Sequence, residues 1–149
     1  MQVLSDVVAT HSFGRQLALL LPAGSILLLG GDLGAGKTCL VQGLAAGLGI
    51  EEPITSPTFA LAQHYPLLKN GAAAGGLVHL DLYRLELAAA ADELFAQEEE
   101  EARALGALLA VEWPERLSRP PAGCWQIQLS LSDPANPAAG RLVELRSPS

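Results

Sequence analysis

The 149-residue chain carries a formal charge of −7, from 9 Lys and Arg against 16 Asp and Glu, and half of its residues are apolar. That length buries a substantial core, and one domain over 1–149 is expected, while the apolar runs are far too short to span a bilayer. Nucleic-acid affinity comes mainly from neutralising phosphates, so a chain this poor in bases is not expected to grip RNA or DNA by itself.

The opening Met1-Gln2-Val3-Leu4-Ser5-Asp6 has no charged stretch followed by an apolar core, so no signal peptide is expected. Cys39 and Cys124 lie far apart and fit no metal or redox spacing. Two buried, reduced thiols in a cytoplasmic protein are the expectation. A helix is predicted over Ala9–Leu21, capped by Thr10 or Ser12, with Phe13, Leu17 and Leu20 at helical spacing. Pro22-Ala23-Gly24 ends it.

Ser25–Leu29 reads as a buried strand running into Gly30-Gly31-Asp32-Leu33-Gly34-Ala35-Gly36-Lys37-Thr38. From Gly31 this fits G-x-x-x-x-G-K-[ST], in the required order of strand, loop and helix. The glycines let the backbone approach an anion without a Cβ in the way. Loop amides and the helix N-terminus direct partial positive charge at it. The stretch Asp32, Leu33, Gly34, Ala35, Gly36, Lys37, Thr38 and Cys39 is thus the candidate cradle for a nucleotide phosphate. Lys37 adds a full charge, and the Thr38 hydroxyl suits Mg²⁺. In the following helix Leu40, Val41, Leu44 and Leu48 form one face, and Gly49 is the natural C-cap.

Glu51 to Thr58 carries two prolines and reads as an extended, stiff loop, with Thr58 placed as a switch threonine would be. Phe59–Tyr65 alternates as a strand. Lys69 to Gly76 reads as a flexible turn back to a second strand, Leu77–Leu82. Asp81 near its end is the leading Mg²⁺ candidate. His79 reads as a packed or surface strand residue, and Arg84 as a surface charge or a contact to phosphate or partner. Glu86 to Gly106 favours helix, and its acid run Glu98–Glu101 reads as a solvated face. Leu108–Val111 is a third buried strand, which delivers Glu112 to the edge where open α/β sheets bind ligands, placed to polarise water. Trp113 is either core or a cover over the nucleotide. Trp125–Ser132 and Arg141–Leu145 make a final strand pair, suggesting an antiparallel edge.

Four motifs, Gly31 to Thr38, Ser56-Pro57-Thr58-Phe59, His79-Leu80-Asp81-Leu82-Tyr83-Arg84 and Glu112-Trp113-Pro114-Glu115-Arg116, occur in this order. Together they resemble the TsaE family, also called YjeE, small bacterial P-loop ATPases of tRNA threonylcarbamoyladenosine synthesis. The resemblance reaches from the first helix to about Leu117. It implies an α/β, three-layer P-loop NTPase fold whose central sheet, mixed parallel and antiparallel, is flanked by helices. It also implies ATP and Mg²⁺ at the loop, weak ATPase activity, and action with the partner proteins TsaD and TsaB, with tRNA met only through that complex. Carried over by position, Lys37 holds phosphate, Thr38 and Asp81 serve the metal, and Glu112 is the catalytic acid within the same metal set. Thr58 falls in the switch-like loop and joins Glu112 and Lys37 in the catalytic set, while Trp113 falls beside the nucleotide. The segments 71–76, 88–107 and 120–149 carry no motif of the family.

Two other readings stay open on the residues. A small-molecule kinase of similar size is one, although the late helical segment has Arg103 as its only base, unlike an arginine-bearing lid. A nucleotide-gated binding module with incidental hydrolysis is the other.

Overall fold

A computed structural model describes residues 2–31, 36–55, 61–69 and 71–148, with the backbone alone at 69 and 72–74. The strands are β1 (Gln2–Leu4), β2 (Ile26–Gly30), β3 (Ala62–Lys69), β4 (Ala72–Asp81), β5 (Leu108–Glu112), β6 (Trp125–Leu131) and β7 (Arg141–Arg146). The helices are α1 (Val7–Leu20), α2 (Lys37–Leu48) and α3 (Ala88–Leu105). All strands join one sheet in the order β1-β7-β6-β2-β5-β4-β3. Its centre, β6-β2-β5-β4, is parallel, and β1, β7 and β3 pair antiparallel at the flanks. This is the expected mixed α/β sheet flanked by helices.

Period-two alternation sorts the core into two layers. Leu27 and Leu29 of β2, Leu108 and Ala110 of β5, and Ile127 and Leu129 of β6 pack with Leu17 of α1 and Leu40 and Leu44 of α2. On the opposite face Leu28, Val78, Leu80, Leu109 and Val111 meet Ala91, Phe95 and Ala102 of α3. Each fully buried leucine contributes about 1.5–3 kcal/mol, so both layers are needed to hold the central strands. Parallel strands covered on both faces read as unbroken apolar runs, which is why β2 and β5 are legible in the sequence.

α1 begins two residues before the expected start because Asp6, not Thr10 or Ser12, caps it. The Asp6 carboxylate accepts from the Ala9 amide at 2.8 Å. Thr10 instead lies inside the helix and donates its hydroxyl to the Asp6 carbonyl at 3.2 Å. α1 and α2 cross closely at Gly14 and Gly43, where a Cβ would meet backbone of the other helix. α2 ends at Gly49 with φ 91, as expected of its cap.

Three expectations need correction. The Ala/Gly-rich stretch after Gly71 is strand, not turn: β4 starts at Ala72 and pairs with β3, which runs on to Lys69 past an irregularity at Pro66/Leu68. Small side chains give little strand signal, and the ladder with β3 supplies the order instead. Residues 59 and 60 of the predicted strand lie outside the described residues. Glu98 is not part of a solvated face. It is buried, 7% exposed, and pairs with His64 of β3 at 2.6 Å, whereas Glu100 and Glu101 face solvent. The two free cysteines differ: Cys124 is buried, but Cys39 is only half-buried.

β6 and β7 form the expected antiparallel pair. β1, outside every predicted element, covers β7 and takes the edge. Among the described residues no helix is long and apolar enough to cross a membrane.

Candidate functional site

The ends of three adjacent strands define the site. β2 stops at Gly30, β5 at Glu112 and β4 at Asp81, and the parallel registers pair Leu29 with Glu112 and Glu112 with Asp81. The two carboxylates therefore emerge at one level beside the loop that leads into α2. Residues Asp32, Leu33, Gly34 and Ala35 of the expected cradle, and Thr58 of the expected switch, lie outside the described residues.

Gly36 caps α2 at φ 100, a left-handed conformation that suits glycine, and offers no side-chain acceptor to the helix. The first turn, with Lys37, Thr38 and Cys39, thus presents its N-terminal dipole without a capping carboxylate. Lys37 is 5% exposed and donates Nζ–H to the Gly31 carbonyl at 2.7 Å. The same Nζ lies 4.2 Å from the centroid of the Trp113 ring. Trp113 follows β5 directly, holds φ 59, and has Tyr83 at 4.8 Å between ring centroids and the Arg116 guanidinium 5.9 Å away. The Trp113 ring packs over Lys37 and, half-buried, also against the core layer that α3 covers.

Asp81 accepts the Tyr83 amide at 2.9 Å, which turns the chain sharply as β4 ends. Burial raises the Asp81 carboxyl above its ordinary value, and nearby Glu112 adds to the rise, against the lowering from the Tyr83 amide, His79 and Lys37. Glu112 is 4% exposed, and its Oε2 lies 2.5 Å from His79 Nε2. Sequence reasoning did not pair these two. The usable signal was period two: His79 and Asp81 must share one face of β4.

A cavity of about 210 Å³ opens on the other side of the α2 N-terminus, lined by Asp6, Val7, Thr10, Gly36, Cys39 and Arg141, among others. Cys39 Sγ reaches the Val7 carbonyl at 3.4 Å, and burial raises its thiol pKa. Gln42 donates to the Ile54 carbonyl at 3.1 Å, which ties the start of the Pro-rich loop to α2.

Residues 4–138 match the family model described as threonylcarbamoyl adenosine biosynthesis protein TsaE. The tRNA threonylcarbamoyladenosine biosynthesis protein TsaE of Synechocystis sp. is 50% identical over 121 residues, covering 79% of this chain and 72% of the relative. Its counterpart of the same description in Nostoc sp. is 42% identical over 130 residues, covering 87% and 77%. The crystal structure of Bacillus subtilis YdiB superposes with a TM-score of 0.64 at 28% identity, covering 97% of this chain and 82% of that one. With the match running from β1 almost to β7, the chain belongs to the TsaE family.

Proposed function

We propose that the chain binds ATP with Mg²⁺ at the N-terminus of α2 and hydrolyses it to ADP and phosphate. We place that slow reaction in tRNA threonylcarbamoyladenosine biosynthesis, in the cytoplasm, where TsaD and TsaB are its stimulating partners. The observation that carries the reading is the convergence of buried Lys37 and Glu112 with half-buried Asp81, the two carboxylates at adjoining strand ends, beside an uncapped helix N-terminus.

The donor set fits the metal. Mg²⁺ prefers oxygen ligands and keeps several waters, so the Thr38 hydroxyl and one carboxylate suffice. Asp81 is desolvated and has a second carboxylate nearby, which a cation would relieve. When bound, the ion neutralises charge on the outer phosphates. Lys37 and the α2 amides hold the phosphates, together with the cradle from Asp32 to Ala35. The cavity lined in part by Gly36 and Cys39 is assigned to the nucleoside. Glu112 has one oxygen engaged by His79, so its other oxygen, Oε1, is assigned to the attacking water, which it orients and whose proton it accepts. Asp81 therefore takes the metal, and Glu112 the water. Thr58 is assigned to close over the terminal phosphate, and Trp113 to cover Lys37.

The net charge of −7 supports contact with tRNA through partners rather than directly. The test is ATP turnover of the full chain alone and with TsaD, TsaB and tRNA. Free phosphate released faster with the partner set is the expected result. No stimulation by active partners, or a phosphorylated metabolite in place of free phosphate, would refute the reading.

A further inference from the structure

His79 is the most enclosed of the buried polar side chains described beside the site, at 0% exposure, and so far it enters only as the partner of one Glu112 oxygen, with no role of its own. β4 alternates, sending Val78 and Leu80 into the layer under α3 and His79 and Asp81 to the face of α2. The parallel register sets His79 opposite Ala110 and Asp81 opposite Glu112, so the imidazole reaches Glu112 along the diagonal. The small Ala110 side chain leaves room for the ring. An ionised carboxylate only accepts, so Nε2 carries the hydrogen that Glu112 Oε2 receives at 2.5 Å. Nδ1 has no partner among the described residues. A wholly buried ring is costly to desolvate where its nitrogens are not all hydrogen-bonded. Among the described residues, the polar bond that offsets this cost runs to the proposed catalytic carboxylate.

We propose that His79 is a positioning residue: it locks Oε2 of Glu112 so that Oε1 alone is left to receive the proton of water. The role rests on the hydrolase reading and adds to it. With Oε2 pinned, the carboxylate cannot rotate in its buried slot, and the entropic cost of aiming it is met on folding rather than during reaction.

The test compares His79→Leu, His79→Gln and His79→Asn in the full chain. It reads kcat and KM for Mg·ATP, and separately the affinity for a fluorescent ATP analogue in EDTA. The Gln amide can replace Nε2–H, whereas the Asn amide is too short to reach Oε2. His79→Leu and His79→Asn are expected to lower kcat about 10- to 100-fold while KM and analogue affinity stay within about twofold, and His79→Gln to recover most of the rate. The proposal is overturned if His79→Leu turns over like wild type, if Gln is as impaired as Asn, or if affinity falls in step with kcat. Should His79→Leu fail to fold, the Gln and Asn pair decides on the same terms. A wild type without ATPase activity, alone or with partners, would instead remove the hydrolase reading itself.

Discussion

The Lys37 ammonium sits against the face of the Trp113 indole, 4.2 Å from its centroid, while it donates to the Gly31 carbonyl. A left-handed φ of 59 at a bulky residue costs on the order of 1 kcal/mol or more, and it is this conformation that turns the indole back over the loop. A cation over an aromatic face is worth about 0.5–2 kcal/mol, so the two features roughly balance. Phosphate would draw Lys37 away from the ring. ATP is therefore expected to change Trp113 emission, measured in a Trp125→Phe background because the chain has two tryptophans. Unchanged emission at saturating ATP would contradict that movement.

Lys37→Ala is expected to lower ATP turnover at least about 100-fold, since it removes the full positive charge we propose for the phosphates. The fold should persist, because among the described residues the lysine meets a loop carbonyl and a ring face. Circular dichroism and phosphate release check the two halves. A turnover rate near wild type would take the loop out of the chemistry.

Asp81→Asn should stabilise the nucleotide-free protein at neutral pH. Burial raises the folded Asp81 pKa above the unfolded value near about 3.9. Stability from such a group is fully present below the unfolded pKa and is lost as pH rises through the folded pKa. Wild type therefore carries a penalty at pH 7 that asparagine lacks, while either side chain can accept the Tyr83 amide. Melting temperatures at pH 7 and at about pH 3.5 should show the variant ahead at the first and level at the second. With Mg·ATP the order should reverse, because only wild type keeps the carboxylate proposed to hold the metal.

His64→Ala should cost about 1–3 kcal/mol, since it strands the nearly buried Glu98 carboxylate without its partner. Glu101→Ala, on the exposed side of the same acid run, should stay within about 0.5 kcal/mol. Urea titration of both variants separates the cases. Equal effects would mean that Glu98 finds another partner.

Gly43→Ala should destabilise by about 1–3 kcal/mol, although alanine favours helix, because its Cβ would press on the His11 backbone of α1. Ala46, also on α2, faces solvent, and Ala46→Ser should be tolerated within about 0.5 kcal/mol. A Gly43→Ala protein that melts with wild type would show that the helices separate freely.

The sequence by itself determined the parts that rest on local chemistry. The loop from Gly31 to Thr38 carries together the residue types expected of an anion cradle. The buried strands β2 and β5 declare themselves as apolar runs, and Gly49 and Gly106 stop their helices by adopting left-handed φ. Tertiary structure alone decided what lies across a register or a layer. Pairing made a strand of 72–76, where small residues carry no signal of their own. The pairing of Glu98 on α3 with His64 of β3, as α3 packs on β4, buried it within a run that composition reads as solvated. The parallel register of β4 and β5 brought His79 to Glu112, 33 residues later in the chain. Period two fixes which face a side chain takes, but only the neighbouring strand fixes what it meets there.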